Sequence, residues 1–278
     1  MSGTLFVVGT PIGNLGDFSP RAADALSSCD FIAAEDTRVT IKLLNHFNIK
    51  KPMVSYHEHN RFDKADEIVA RIRAGESCTL VTDAGMPAIS DPGTELVRAC
   101  HNEGIPVMSV PGPSAIITAA AISGLDVSRF SFEGFLSVNK QQRRAHLEEI
   151  KTEKKTMIFY EAPHKLPATL ADLHGALGDR TCAVIKELTK IYETVRLTTL
   201  AAAAKHYAAN KPRGEFVIII EPAPQQEAKE QTFGDAVRLA RELQAGGLPQ
   251  NEAAKQAAKQ TGFKKSDIYR ELLCIPKT

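Results

Sequence analysis

Five short apolar runs recur across residues 1–125: Thr4–Gly9, Phe31–Ala34, Met53–Tyr56, Cys78–Thr82 and Ile105–Val110. A helical pattern follows each, near Ser19–Ser27, Val39–Phe47, Arg61–Ala74, Thr94–Glu103 and Ser114–Ile122. Strand and helix in regular alternation leave few folds open. Parallel strands need a crossover long enough to bring the chain back, a helix provides it, and the helices then cover both faces of the sheet. The expectation is an α/β lobe built on a mostly parallel sheet. Ligands of such sheets bind beyond the carboxyl ends of the strands, so the loops after the apolar runs are where function should lie.

A second α/β pattern follows, with strand candidates Phe130–Gly134, Thr156–Tyr160, Cys182–Lys186, Thr194–Thr199 and Glu215–Glu221. The last three are rich in β-branched residues and have one evident helix among them, near Leu200–Ala208. That points to a mixed sheet with antiparallel pairing. A hinge is expected at Leu125–Arg129, and Pro222–Gln231 reads as a polar linker. Three short helical patterns come after it, Phe233–Gln244, Asn251–Gln260 and Ser266–Leu273. The expected organisation is a cofactor-binding lobe at 1–125, a mixed second lobe at 126–222 and a helical tail at 231–278. Ala258 and Gly262, followed by a short basic helix, suit a helix-turn-helix that contacts nucleic acid. A bare helical cap fits the same residues.

With 278 residues and 43% hydrophobic content, the chain can bury a full core. Its net charge of +1 gives no whole-molecule field to draw it to nucleic acid or membrane, although the segment from Gln231 onward carries +3. Cys29, Cys78, Cys100, Cys182 and Cys274 are odd in number, scattered and without metal-binding spacing, as expected of buried reduced thiols. Leu5–Val8 is too short for a signal peptide, and no apolar run approaches the ~20 residues of a membrane helix. A soluble cytoplasmic protein, with no membrane partner, is the expectation.

The run ending at Val81 opens into Thr82-Asp-Ala-Gly-Met-Pro-Ala-Ile-Ser-Asp-Pro-Gly93, a carboxylate at a strand end followed by a Gly/Pro loop. It has neither the Gly-x-Gly-x-x-Gly nor the Gly-x-x-x-x-Gly-Lys cradle. Gly9-Thr-Pro-Ile-Gly-Asn-Leu-Gly-Asp17 comes nearer to a dinucleotide fingerprint, with Asp36 at the next strand end. Its glycine spacing is wrong, and Pro11 removes an amide where a pyrophosphate needs one. Both loops point away from NAD and ATP.

These two loops, with Val110-Pro-Gly-Pro-Ser-Ala115 after the fifth run, stand in the order seen in the tetrapyrrole methylase superfamily. Ala34-Glu-Asp-Thr-Arg38, Ser55-Tyr-His-Glu-His-Asn60, Tyr160-Glu-Ala-Pro-His164 and Lys186-Glu-Leu-Thr-Lys190 resemble its ribosomal small subunit methyltransferase I branch. The resemblance covers about residues 4–221. It implies a two-lobed fold with S-adenosylmethionine in the cleft, methylation of a cytidine ribose 2′-oxygen in the decoding region of 16S rRNA, 16S rRNA or the small ribosomal subunit as partner, and a homodimer.

Asp83 is positioned to accept from the cofactor, or to cap its own loop; Gly85 and Gly112 allow close backbone approach, and Ser114 and Ala115 open a helix whose amides can meet an anion. The resemblance adds Pro11, Met86, Tyr160, Leu188, Gly214 and Glu215 to the pocket. A ribose hydroxyl needs a base or a nearby cation, and Asp36, His57, Glu58 and Lys186 are the candidates, unresolved among themselves. His57 and His59 have no evident third partner, so no metal is expected. Glu35, Arg38 and Asn60 belong to the cluster expected to face substrate. Lys140, Arg143, Arg144 and Arg213 are either a solvated face or phosphate contacts. A porphyrin or corrin C-methyltransferase and a non-enzymatic RNA-binding protein are the competing functions.

Overall fold

The computed structural model describes residues 3–224 and 232–273. Contacts divide the chain into two compact units, Met1–Ala223 and Pro224–Thr278. The first contains two five-stranded sheets.

The first sheet comprises β1 (Leu5–Val8), β2 (Phe31–Ala34), β3 (Met53–Ser55), β4 (Cys78–Val81) and β5 (Val107–Val110), in the order β3-β2-β4-β1-β5. Every pairing is parallel. Side chains alternate across it. Leu5, Val7, Phe31 and Ala33 pack with Ile68 and Ile72 of α3 (Arg61–Arg73) and Leu96 of α4 (Thr94–Asn102). Val8, Ile32 and Ala34 pack on the other face with Leu26 of α1 (Pro20–Ser28) and Leu44 of α2 (Thr37–His46). Helices on both faces explain why β2 and β4 are buried along their whole length. β5 starts two residues later than the apolar pattern predicts, because Pro106 has no N–H for the ladder.

The second sheet has the order β6-β7-β10-β8-β9: β6 (Phe130–Gly134), β7 (Thr156–Glu161), β8 (Thr181–Lys186), β9 (Thr194–Thr199) and β10 (Phe216–Ile220). β6 and β7 are parallel; the other pairs are antiparallel. On one face lie α6 (Lys140–Glu149), α7 (Leu166–Leu177) and α8 (Leu200–Ala209). On the other, Ile158, Ile185, Val217 and Ile219 pack against α5 (Ala115–Ile122) through Ile116, Ala119 and Ala120. α5, which follows β5 in the chain, therefore lies on the second sheet through one face, while Ile117 and Ile122 on its other side stay exposed. The 125–129 segment is bonded into this arrangement: Thr156 Oγ1 donates to the Asp126 carbonyl and the Thr156 amide to the Arg129 carbonyl.

The second unit contains α9 (Phe233–Ala245), α10 (Gln250–Thr261) and α11 (Lys265–Leu273) around Ala236, Ala240, Ala254, Ala257 and Ile268. Its small alanine core lets the helices approach closely. A capping box between Thr232 and Asp235 starts α9, and a left-handed Gly262 ends α10. Cys29, Cys78, Cys100 and Cys182 are buried free thiols whose pKa values burial raises. Cys274 and most of the expected Pro222–Gln231 linker lie outside the described residues.

Candidate active site

The carboxyl ends of the parallel strands open on a cavity of about 440 Å³ within the first unit. Three loops of the first sheet line it: Ile12 after β1, Ala84–Asp91 after β4, and Ser114–Ile116 at the start of α5. The second sheet closes it with Phe135, Tyr160–Pro163, Ile185, Leu188 and Glu215–Val217. Its walls are predominantly apolar. Among the described residues its charged side chains are Asp91, Glu161 and Glu215, with no lysine or arginine.

Close backbone contact makes the loops converge. A Cβ built on Gly9 would lie 2.7 Å from the Gly112 Cα and equally near the Met86 sulfur, so the chain after β1 and the chain after β5 touch directly. Thr10 then pairs with Gly85 in an isolated antiparallel bridge, bringing the loop after β4 alongside. Around the cavity Ala88, Glu187 and Thr189 adopt left-handed backbone conformations, φ +66°, +54° and +63°. Non-glycine residues held there store strain of about 1–3 kcal/mol each, a feature concentrated at functional sites.

Of the residues expected to hold a cofactor, Gly85, Met86, Ser114, Ala115, Tyr160, Leu188 and Glu215 line this cavity. Gly112 supports it through Gly9, and Gly214 precedes Glu215 in a turn of φ +88°. Pro11 and Asp83 stand beside the lining rather than in it. Asp83 Oδ1 accepts the Asp36 amide at 3.2 Å, and the Asp83 amide donates to Glu35 at 3.3 Å. Asp83 thus links the ends of β2 and β4. Burial raises the pKa values of Glu35, Asp83 and Asp91, and neighbouring carboxylates add to each. Asp36 differs: hydrogen bonds from Arg38 hold it at about 2.

Five other expected positions are engaged elsewhere. Glu58 pairs with Arg61 at 2.5 Å. The His57 amide donates to Asn60 Oδ1, which makes Asn60 a loop cap, while His57 Nδ1 is buried without a partner among the described residues. Arg38 is 88% exposed and pairs with Asp36. Arg143 is bonded into the fold, donating to Asp172 at 2.7 Å and to Thr169 at 2.9 Å. Lys140 and Arg144 are exposed on α6. Lys186 and Arg213 line a second, separate groove.

The cavity suits a mostly apolar ligand that carries a positive charge. Tyr160, whose hydroxyl burial pushes up to about 12, stays neutral at one wall. α5 begins at Ser114 with no side-chain cap; the Ile116 amide faces the Tyr160 hydroxyl, and the neighbouring first-turn amides remain for a carboxylate. Asp91 makes no hydrogen bond or ion pair among the described residues, although it is half-buried. A half-buried carboxylate without a protein partner offers a place for the cationic group of a ligand. S-adenosylmethionine combines these properties, with an apolar adenine, a carboxylate and a cationic sulfonium. Asp91, Phe135 and Glu161 were not foreseen as site residues. Asp91 and Glu161 lie inside the quoted motifs; Phe135 had no signal of its own.

The sequence matches the profile of the Tetrapyrrole (Corrin/Porphyrin) Methylases over residues 4–204. The uroporphyrin-III C-methyl transferase of Thermus thermophilus, solved with S-adenyl homocysteine, shares the fold with a TM-score of 0.56 at 15% identity, over 79% of this chain and 97% of that one. The ribosomal RNA small subunit methyltransferase I of a Synechocystis strain is 45% identical over 272 residues, 96% of either chain. The protein of that name from Xylella fastidiosa is 47% identical over 270 residues, 96% of this chain and 98% of its own. The chain belongs to the tetrapyrrole methylases and, within them, to the ribosomal RNA small subunit methyltransferase I family.

Proposed function

We propose that the chain transfers a methyl group from S-adenosylmethionine to small-subunit ribosomal RNA, at the ribose 2′-oxygen of a cytidine in the decoding region. The observation that carries this reading is near-full-length identity of 45–47% to relatives named for that class of reaction. The cavity supports it: apolar walls, an uncapped helix start and an unpartnered Asp91 match the three parts of the donor.

The cofactor would supply the electrophilic methyl group. Asp91 would face its positive charge, the free first-turn amides of α5 would receive its carboxylate, and Tyr160, Leu188 and Met86, which line the cavity, would exclude water around its apolar part. The lobe at 1–125 supplies the loops that hold the donor, the lobe at 126–222 closes over it, and the helices beyond 231 contact RNA. Glu35, Arg38 and Asn60 form the rim for the nucleotide. Asp36 is a weak base, since a carboxylate held near 2 by Arg38 binds a proton poorly. The protein acts as a cytoplasmic homodimer.

Transfer from methyl-tritiated cofactor tests the reading. Label should enter small-subunit RNA and, after digestion, be found in 2′-O-methylcytidine. Label in uroporphyrinogen with none in RNA would overturn it.

A further inference from the structure

A second groove, of about 690 Å³, lies at the same end of the second sheet on its other face. Strand alternation separates the two: Ile185 faces the first cavity and Lys186 the groove. Its walls carry Lys186 from β8, Arg196 from β9, and Lys211 and Arg213 from the chain between α8 and β10, with His206 beside them. Among the described residues no carboxylate lines it.

None of these four cations makes an ion pair among the described residues. The chain holds 34 basic and 33 acidic residues, so composition does not force such a gathering. Nearby cations are matched: Lys190 bonds both Glu187 and Glu215, and Arg143 bonds Asp172. Four unmatched like charges around one groove repel each other, and an anion relieves that repulsion. The cations come from three separate chain segments around an open groove of about 690 Å³. A groove of that size has room for more than one phosphate, so it suits a nucleic-acid backbone better than one small ion. Phe216 lines both cavities and pairs with Lys186 across the β8–β10 ladder. The groove and the cavity proposed to hold the methyl donor therefore meet at Phe216, at the same end of the sheet.

We propose that this groove grips the phosphate backbone of the RNA strand beside the nucleotide that enters the cavity. The inference rests on the reading of RNA as substrate. Phosphate contacts carry no sequence information but fix register, which is what positioning a single ribose requires.

The test uses the full chain and a fluorescein-labelled single-stranded RNA of decoding-region sequence, with anisotropy read across a salt series. Arg196→Ala combined with Lys211→Ala should weaken binding roughly tenfold or more at low salt. The slope of log affinity against log salt should fall by about 1.4, at ~0.7 for each phosphate left without its cation. Heat of S-adenosylmethionine binding should not change, which also shows that the variant is folded. Lys211→Ala alone, on an exposed loop, should give about half the change in slope. Unchanged RNA affinity and slope in both variants would overturn the proposal. So would competition by millimolar inorganic phosphate at constant ionic strength, which would mark a small-anion site. If the unmodified chain gives no heat with S-adenosylmethionine, the enzyme reading fails while the groove stands or falls on the RNA titration alone.

Discussion

The two cavities share one sheet end and have opposite chemistry. Among the described residues, one is apolar with three carboxylates, Asp91, Glu161 and Glu215; the other has four cations and no carboxylate. Between Ile185 and Lys186 the change takes one residue. A strand presents consecutive side chains to opposite faces, so a single short segment lines the donor's cavity on one side and a basic groove on the other.

Four substitutions test this contrast. The largest effect is expected of Ile185→Lys, which puts a cation into the wholly buried face that packs on α5. It should cost about 3 kcal/mol or more, read as a lower urea midpoint. Lys186→Met, one residue on, should leave that midpoint within about 0.5 kcal/mol and weaken only RNA binding. Asp91→Asn should come next. It removes the unpartnered carboxylate of the first cavity, and calorimetry should show about a tenfold loss of S-adenosylmethionine affinity, ~1.4 kcal/mol. S-adenosylhomocysteine, which lacks the sulfonium charge, should lose less. Equal losses for both would mean that Asp91 does not read the charge.

The smallest effect is expected of Asp83→Asn, which keeps an oxygen for the Asp36 amide. Burial, with Asp36 nearby, raises the Asp83 pKa in the folded state. The folded protein therefore holds this proton more tightly than the unfolded chain, and the carboxylate costs stability once pH rises through the folded value. The variant should be slightly more stable than the parent at neutral pH. The gap should close as pH falls below about 4, where both states are protonated. Urea midpoints at several pH values check this; a gap that is constant with pH would mean that Asp83 ionisation is not its source.

Much of the first sheet was legible because each strand is apolar and each helix carries its own signal, such as Ser19 and Pro20 opening α1. α7 was not foreseen, although Leu166, Leu170, Leu173 and Leu177 share one stripe; Pro167 within the run hid a helix that in fact begins with proline in its first turn. The loop glycines and Tyr160 could be read from motifs. The separation of Ile185 from Lys186 could not. β8 is buried from Cys182 through Ile185, so no polar alternation marks which face each residue takes, and its orientation follows only from its pairing with β10. Arg143 shows the converse: its basic neighbourhood suggested RNA, but Asp172 and Thr169, from a helix distant in sequence, claim it.

The touching backbones of Gly9 and Gly112 carry an evolutionary consequence. Every amino acid other than glycine adds a Cβ, and at either position that atom would fall within 2.7 Å of the opposite main chain. Shrinking a neighbour offers no relief, because the obstacle is backbone and no second-site change removes it. In a saturation library selected for methylation, these two codons should therefore drift only among glycine's synonyms.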